Sequence, residues 1–243
     1  MMKIQGSILA HLIGIVDSIE ADLMLPLRAH EREDRGGFFS ISRQVFSYID
    51  YLGALATSGK NSTANAVAYM EKYFSLVNPA YTGRCTIMYA MWRHGTVHEY
   101  DPKVFVSHAH GFRLCWGANN TSVTLNRKWH LKCLCRASQP GSYHWFINLF
   151  ELVDDLRKSV TYFVAELEAD QTYLQIAKQN LNTLSAEVDL DNQQKVALLR
   201  EAIAVVGDAT GVIDDQGNVI REFKATEEFE AFKKDEWGTQ PLT

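Results

Sequence analysis

The segment Tyr89-Ala-Met-Trp-Arg-His-Gly-Thr-Val-His-Glu-Tyr-Asp-Pro102 gathers the side chains best suited to chemistry on a phosphate. Arg93 carries a planar fork that meets two phosphate oxygens at once. His94 and His98 carry imidazoles, which titrate close to neutral pH as proton carriers must. A place near a helix C-terminus favours the imidazolium, which suits an acid. Gly95 permits close approach, at a helix cost of about 1 kcal/mol. On a regular helix His94 and His98 share a face, whereas Arg93 and His98 differ by about 140° in direction. One helix is therefore a poor Arg/His site. Two copies related by a two-fold axis bring both pairs into one cleft, and such isologous dimers are the commonest oligomers.

Arg93, polar His94, three further residues and His98, late on a helix and followed by Glu99-Tyr100-x-Pro102, resemble the Arg-(Asn/His/Asp)-x-x-x-His signature of the HEPN superfamily, the higher eukaryotes and prokaryotes nucleotide-binding domains. The resemblance implies a helical domain over residues 1–185, a homodimer, and metal-independent cleavage of single-stranded RNA with no cofactor. In that reaction the 2′-hydroxyl attacks the adjacent phosphorus, leaving a 2′,3′-cyclic phosphate and a 5′-hydroxyl. His98 would move the proton and Arg93 would neutralise the growing charge, with His94 as second proton carrier or substrate orienter. RNA is then the partner, with an antitoxin protein beside it if the chain is a toxin or defence effector. The alternative is a noncatalytic HEPN-like module that binds RNA or nucleotides, or dimerises. The plainer reading of Arg93 is an ion pair with Glu99 or Asp101.

The elements around this segment follow from apolar spacing. Ile8, Leu12, Ile15, Ile19 and Leu23 recur at threes and fours, as on a helix that Pro26 ends or kinks. Residues 28–37 read as a loop. Ser40 reads as a cap before Ile41, Val45, Tyr48, Leu52 and Leu55, and Gly59 closes that helix. Asn61 or Ser62 caps a third helix to about Leu76, and a fourth runs from Pro79 to Glu99. Residues 104–135 are β-prone and broken by turns, predicting a small antiparallel sheet of hairpins. Ser142 then starts a long helix through Phe146, Leu149, Val153, Leu156, Val160, Phe163 and Leu167, extending towards Leu184. Asp191 with Gln194 suggests a cap for a last helix, and 210–213 with 218–220 suggest a second hairpin. The expected fold is a mainly α, up-and-down helical bundle with a β insertion at 103–138, and an acidic C-terminal extension over 186–243.

Composition supports an ordinary globule: 47% hydrophobic and 22% charged residues. No apolar run approaches the ~18 residues of a membrane span, and a cytoplasmic location is the default. Net charge is −5, but residues 84–136 hold eight Lys/Arg against Glu99 and Asp101. Within them Arg113, Arg127, Lys128 and Lys132, beside Trp116 and Trp129, suggest RNA contacts through phosphate charge and base stacking. The competing reading puts those tryptophans in the sheet core. The acidic tail beyond Phe223 is a candidate cover for this basic region. His130, Cys133 and Cys135, with Cys115, lack paired zinc-ligand spacing and read as strand residues, buried or half-buried. His108 and His110 read as an exposed turn. No Walker loop, Rossmann glycine pattern, Gly-x-Ser-x-Gly or His-Glu-x-x-His occurs, which argues against the chemistries they carry.

Overall fold

Ile8, Leu12, Ile15, Ile19 and Leu23 are all buried along one helix, α1 (residues 8–32). A computed structural model describes residues 8–32, 38–98, 102–119, 127–135, 142–185, 211–213 and 219–222. The chain divides into two units: Gly6–Ser185, and Met1–Gln5 with Ala186–Thr243. Pro26 does not end α1. The helix widens into a π turn over Glu20–Met24, with Leu25 N–H reaching back five residues to Glu20 C=O, and resumes as Leu25–Arg32. The wide turn lies where the proline ring would otherwise press on the preceding turn. Residues 28–32 are thus helical rather than loop.

Helix α2 (Phe38–Ala56) starts two residues before Ser40, which sits in its first turn and not at the cap. Gly59, at φ 67°, returns its N–H to Ala54 C=O and closes α2. Helix α3 (residues 63–77) is capped by Ser62, whose Oγ accepts the Asn65 N–H at 3.1 Å. Helices α2 and α3 touch backbone to backbone at Gly53. A Cβ there would lie 2.7 Å from Ala66 Cα and N. Gly53→Ala is therefore expected to destabilise the protein by about 2–3 kcal/mol, because backbone cannot give way as a side-chain tip can; urea denaturation measures it. A 3-10 turn at Pro79–Tyr81 separates α3 from α4 (residues 85–98), so Pro79 does not begin the fourth helix. Helix α4 also carries a π turn, Ala90–His94, before its last turn Gly95–His98.

Strands β1 (Phe105–Ser107) and β2 (Phe112–Asn119) form the expected hairpin through Gly111, at φ 65°. The sheet is completed by β3 (Cys133–Cys135) and β4 (Ser142–Asn148) in the order β1-β2-β4-β3. It is mixed, not purely antiparallel: β2 runs parallel to β4 from Arg113↔Ser142 to Asn119↔Asn148. The long connection between them, which includes β3, is what a parallel pair requires. Strand β4 replaces the expected start of the long helix. Its second half, Trp145–Asn148, is buried or half-buried on both faces, so it lacks clean alternation and Phe146 fell in step with the helical stripe that follows. Asn148 then caps α5 (Leu149–Ala169), its Oδ1 accepting the Glu151 N–H. Asp170 breaks the stripe and caps α6 (Gln171–Leu184), accepting from Thr172 and Tyr173 N–H.

The buried apolar side chains of α1–α6 and the inner face of the sheet form one core, with Trp92, Phe46, Phe74 and Phe163 among its largest members. In the second unit, β5 (Gly211–Ile213) and β6 (Val219–Glu222) pair antiparallel as expected, with a bulge between Val212 and Ile213. The expected helix after Asp191, the strand at 122–125 and the tail beyond Phe223 lie outside the described residues.

Candidate functional site

Arg93 sits on the π turn of α4, half-buried, and its Nε donates to Asp50 Oδ2 at 3.0 Å. Asp50 Oδ1 accepts the Tyr89 hydroxyl at 2.5 Å, so one carboxylate of α2 grips two residues of α4. Burial, then the hydrogen bond and charge of Asp50, push the Tyr89 phenol up to about 12, keeping it a donor. His94 meets the edge of the Tyr89 ring at 5.4 Å between centroids. At the end of the helix Arg43 Nη2 donates to Thr96 C=O at 3.0 Å. Asp50 is thus a partner of Arg93 from another helix, while Glu99 and Asp101, the acids expected to pair with it, lie outside the described residues. The π turn also means that a uniform 100° step does not describe the path from Arg93 to His98. The His98 side chain lies outside the described ones.

Asp50 and Tyr89 were not singled out from the sequence. A signal existed for Asp50: it is the one charged residue between Arg43 and Lys60, set among Val45, Phe46, Ile49, Leu52 and Leu55. A lone carboxylate in such a place needs a partner. The arrangement orients the Arg93 guanidinium firmly. It also compensates its charge, so a phosphate arriving here meets an arginine already holding one carboxylate.

A second polar group surrounds His130. This residue was expected on a strand, but only Cys133–Cys135 is extended, and residues 127–132 form a tight turn. His130 is buried and its Nδ1 accepts the Asn148 N–H at 3.1 Å. A nitrogen that accepts carries no proton, so the ring hydrogen is on Nε2. Nε2 faces Asp155 Oδ2 at 3.2 Å and the Tyr81 oxygen at 3.0 Å, and the Tyr81 hydroxyl donates to Asp155 Oδ2 at 2.9 Å. All three side chains are buried. Burial first, and then the Asp155 charge, hold the Tyr81 phenol well above its usual range. His130 is therefore committed to an interior network and not to a metal, and no group of three or more metal-ligating residues occurs among the described residues.

Arg127, Lys128, His130 and Lys132 line one hollow of about 440 Å³ with Glu151, which pairs with Arg127. The Lys128 ammonium lies over the Trp129 ring, 4.8 Å from its centroid. Trp129 is exposed, whereas Trp116, partly buried, packs on Phe39 and Trp92 against the core. Arg113 stands apart: strand alternation puts it on the sheet face opposite Leu114 and Trp145. Cys133 and Cys135 share one face as expected, but both are exposed, not buried. His110 belongs to an exposed turn, its Nδ1 2.9 Å from Ser107 Oγ. Among the described residues no helix is long and apolar enough to cross a membrane.

No family model, curated protein or solved structure matches this chain.

Proposed function

We propose that the chain binds single-stranded RNA and cleaves it without a metal, with Arg93 and His98 of two copies forming a shared site and His94 assisting. The observation that supports this most is the way Arg93 is held. Its guanidinium is fixed from α2 by Asp50, itself fixed by Tyr89, at the end of a helix that also carries His94 and His98. A catalytic guanidinium is effective only if its orientation is set before the charge develops. The test is incubation of the purified protein with single-stranded RNA in EDTA. Cleavage by the wild type and none by His98→Ala supports the proposal, and equal activity in both removes it. Sedimentation at micromolar concentration should give a dimer; a monomer that still cuts excludes a composite site.

Noncatalytic RNA binding is the second reading, favoured by one specific observation. Arg93 is charge-compensated by Asp50, while the hollow at 127–132 carries three cations against the single carboxylate of Glu151. In both readings Lys128 and Lys132 contact RNA phosphates. The logarithm of RNA affinity is then expected to fall with the logarithm of salt, with a slope that becomes shallower by about 0.7 when either lysine is replaced by glutamine. Titrations at several salt concentrations measure this, and an unchanged slope in both variants removes the hollow from the RNA path.

A further inference from the structure

The cationic hollow adjoins a second depression that the reading above does not use. Ala80 and Lys132 line both. The second, of about 450 Å³, is walled by Ile87, Leu114, Leu131 and Trp145, with Arg84 and Lys132 among its lining residues. It is large enough to seat an aromatic ring system. Among the described residues neither Arg84 nor Lys132 has an acidic partner, so their charge remains available to a ligand.

The backbone between the two depressions is unusual. Leu131 has φ 59°, in the left-handed region that a leucine rarely enters. In an extended segment His130 and Leu131 would face opposite ways. Here both are buried, at 8% and 2% exposure, while Lys132 stays outside. The turn is clamped by Leu131 N–H to Phe146 C=O at 2.7 Å and by Phe146 N–H to Lys132 C=O at 2.8 Å. The His130–Asp155–Tyr81 network holds it from below. Strained backbone of this kind persists only where its surroundings impose it, and it concentrates at binding sites.

An apolar slot with two uncompensated cations, opening into a cationic hollow, complements a ligand with a flat apolar part joined to an anion. We infer that the two depressions form one nucleotide subsite. The base lies in the slot against Ile87, Leu114, Leu131 and Trp145. Its phosphate meets Arg84 and Lys132, and the next phosphate of a strand continues towards Lys128 and Arg127. The choice of an RNA strand as the natural ligand rests on the RNA reading above; the complementarity to a nucleotide does not.

Cys133 lines the slot, while Cys135, on the same strand face, does not, and both thiols are exposed. Labelling with N-ethylmaleimide, read by peptide mass spectrometry, therefore reports occupancy with an internal control. AMP should slow Cys133 by about tenfold and leave Cys135 unchanged. Adenosine and ribose 5-phosphate should each need about tenfold more ligand for the same protection, since each loses one half of the recognition. Arg84→Glu and Lys132→Glu, compared with their own unliganded rates, should weaken AMP protection by about tenfold or more at unchanged melting temperature. Unprotected Cys133 at millimolar AMP overturns the subsite, as does equal protection by AMP and inorganic phosphate. RNA cleavage is read separately: cleavage without AMP protection removes only the subsite, and AMP protection without cleavage removes only the nuclease.

Discussion

Asp155→Ala is expected to lower the unfolding free energy by about 2–4 kcal/mol and the melting temperature by about 10 °C. Asp155 Oδ2 accepts the Tyr81 hydroxyl and faces His130 Nε2, at 2.9 and 3.2 Å, in a place water does not reach. Removing the carboxylate strands the buried Tyr81 hydroxyl, which retains its full desolvation cost, and leaves His130 Nε2–H only the Tyr81 oxygen as acceptor. His130 is further tied to the first residues of α5 by the Asn148 N–H, so loss of Asp155 loosens the turn that shapes the cationic hollow. Asp155→Asn keeps an acceptor in place and should lose roughly half as much. Thermal and urea unfolding of both variants measure the effect. A loss below about 1 kcal/mol for the alanine variant would show that water replaces the carboxylate and that the network is not sealed.

Arg93→Ala is expected to slow RNA cleavage by about 10²–10³-fold, the usual scale for removing a preorganised group from a developing charge. Arg93→Lys keeps the charge but loses the fork, so most of that loss should remain. Asp50→Asn separates orientation from charge. It leaves Arg93 intact while weakening the charged contact that fixes its Nε, and about a tenfold loss is expected if orientation matters. Tyr89→Phe removes the hydroxyl that holds Asp50 and should act in the same direction with a smaller effect. Single-turnover rates with folded variants are the measurement. An Arg93→Ala protein that cuts at the wild-type rate would leave Arg93 as an ion-pair partner of Asp50 and nothing more.

Much of the bundle could be read from the sequence because its helices bury one stripe each. Ile41, Val45, Leu52 and Leu55 recur at helical spacing and are buried, and Ser62 and Gly59 punctuate the chain where capping chemistry says they should. Strand β4 was not legible, because a strand covered on both faces loses its alternation and Phe146 happened to fall in step with Leu149 and Val153. The π turns were not legible either. A widened turn depends on packing and on how a residue such as Pro26 is accommodated, and neither shows in periodicity. At the candidate site the sequence singles out Arg93, His94 and His98 through their types and closeness. Asp50 is 43 residues away from Arg93 in the chain, and only its isolation from other charges between Arg43 and Lys60 hints at it. Lys128 and Lys132 were visible as local positive charge; the slot beside them, made by Arg84, Leu114, Leu131 and Trp145 from four separate segments, was not.

The most direct test of RNA cleavage is the chemistry of the product ends. Single-stranded RNA treated with the wild-type protein in EDTA should yield fragments ending in 2′,3′-cyclic phosphate and beginning with 5′-hydroxyl, and the His98→Ala protein should yield none. RNA that stays intact with the wild type, or identical fragments from both proteins, contradicts the proposed reaction.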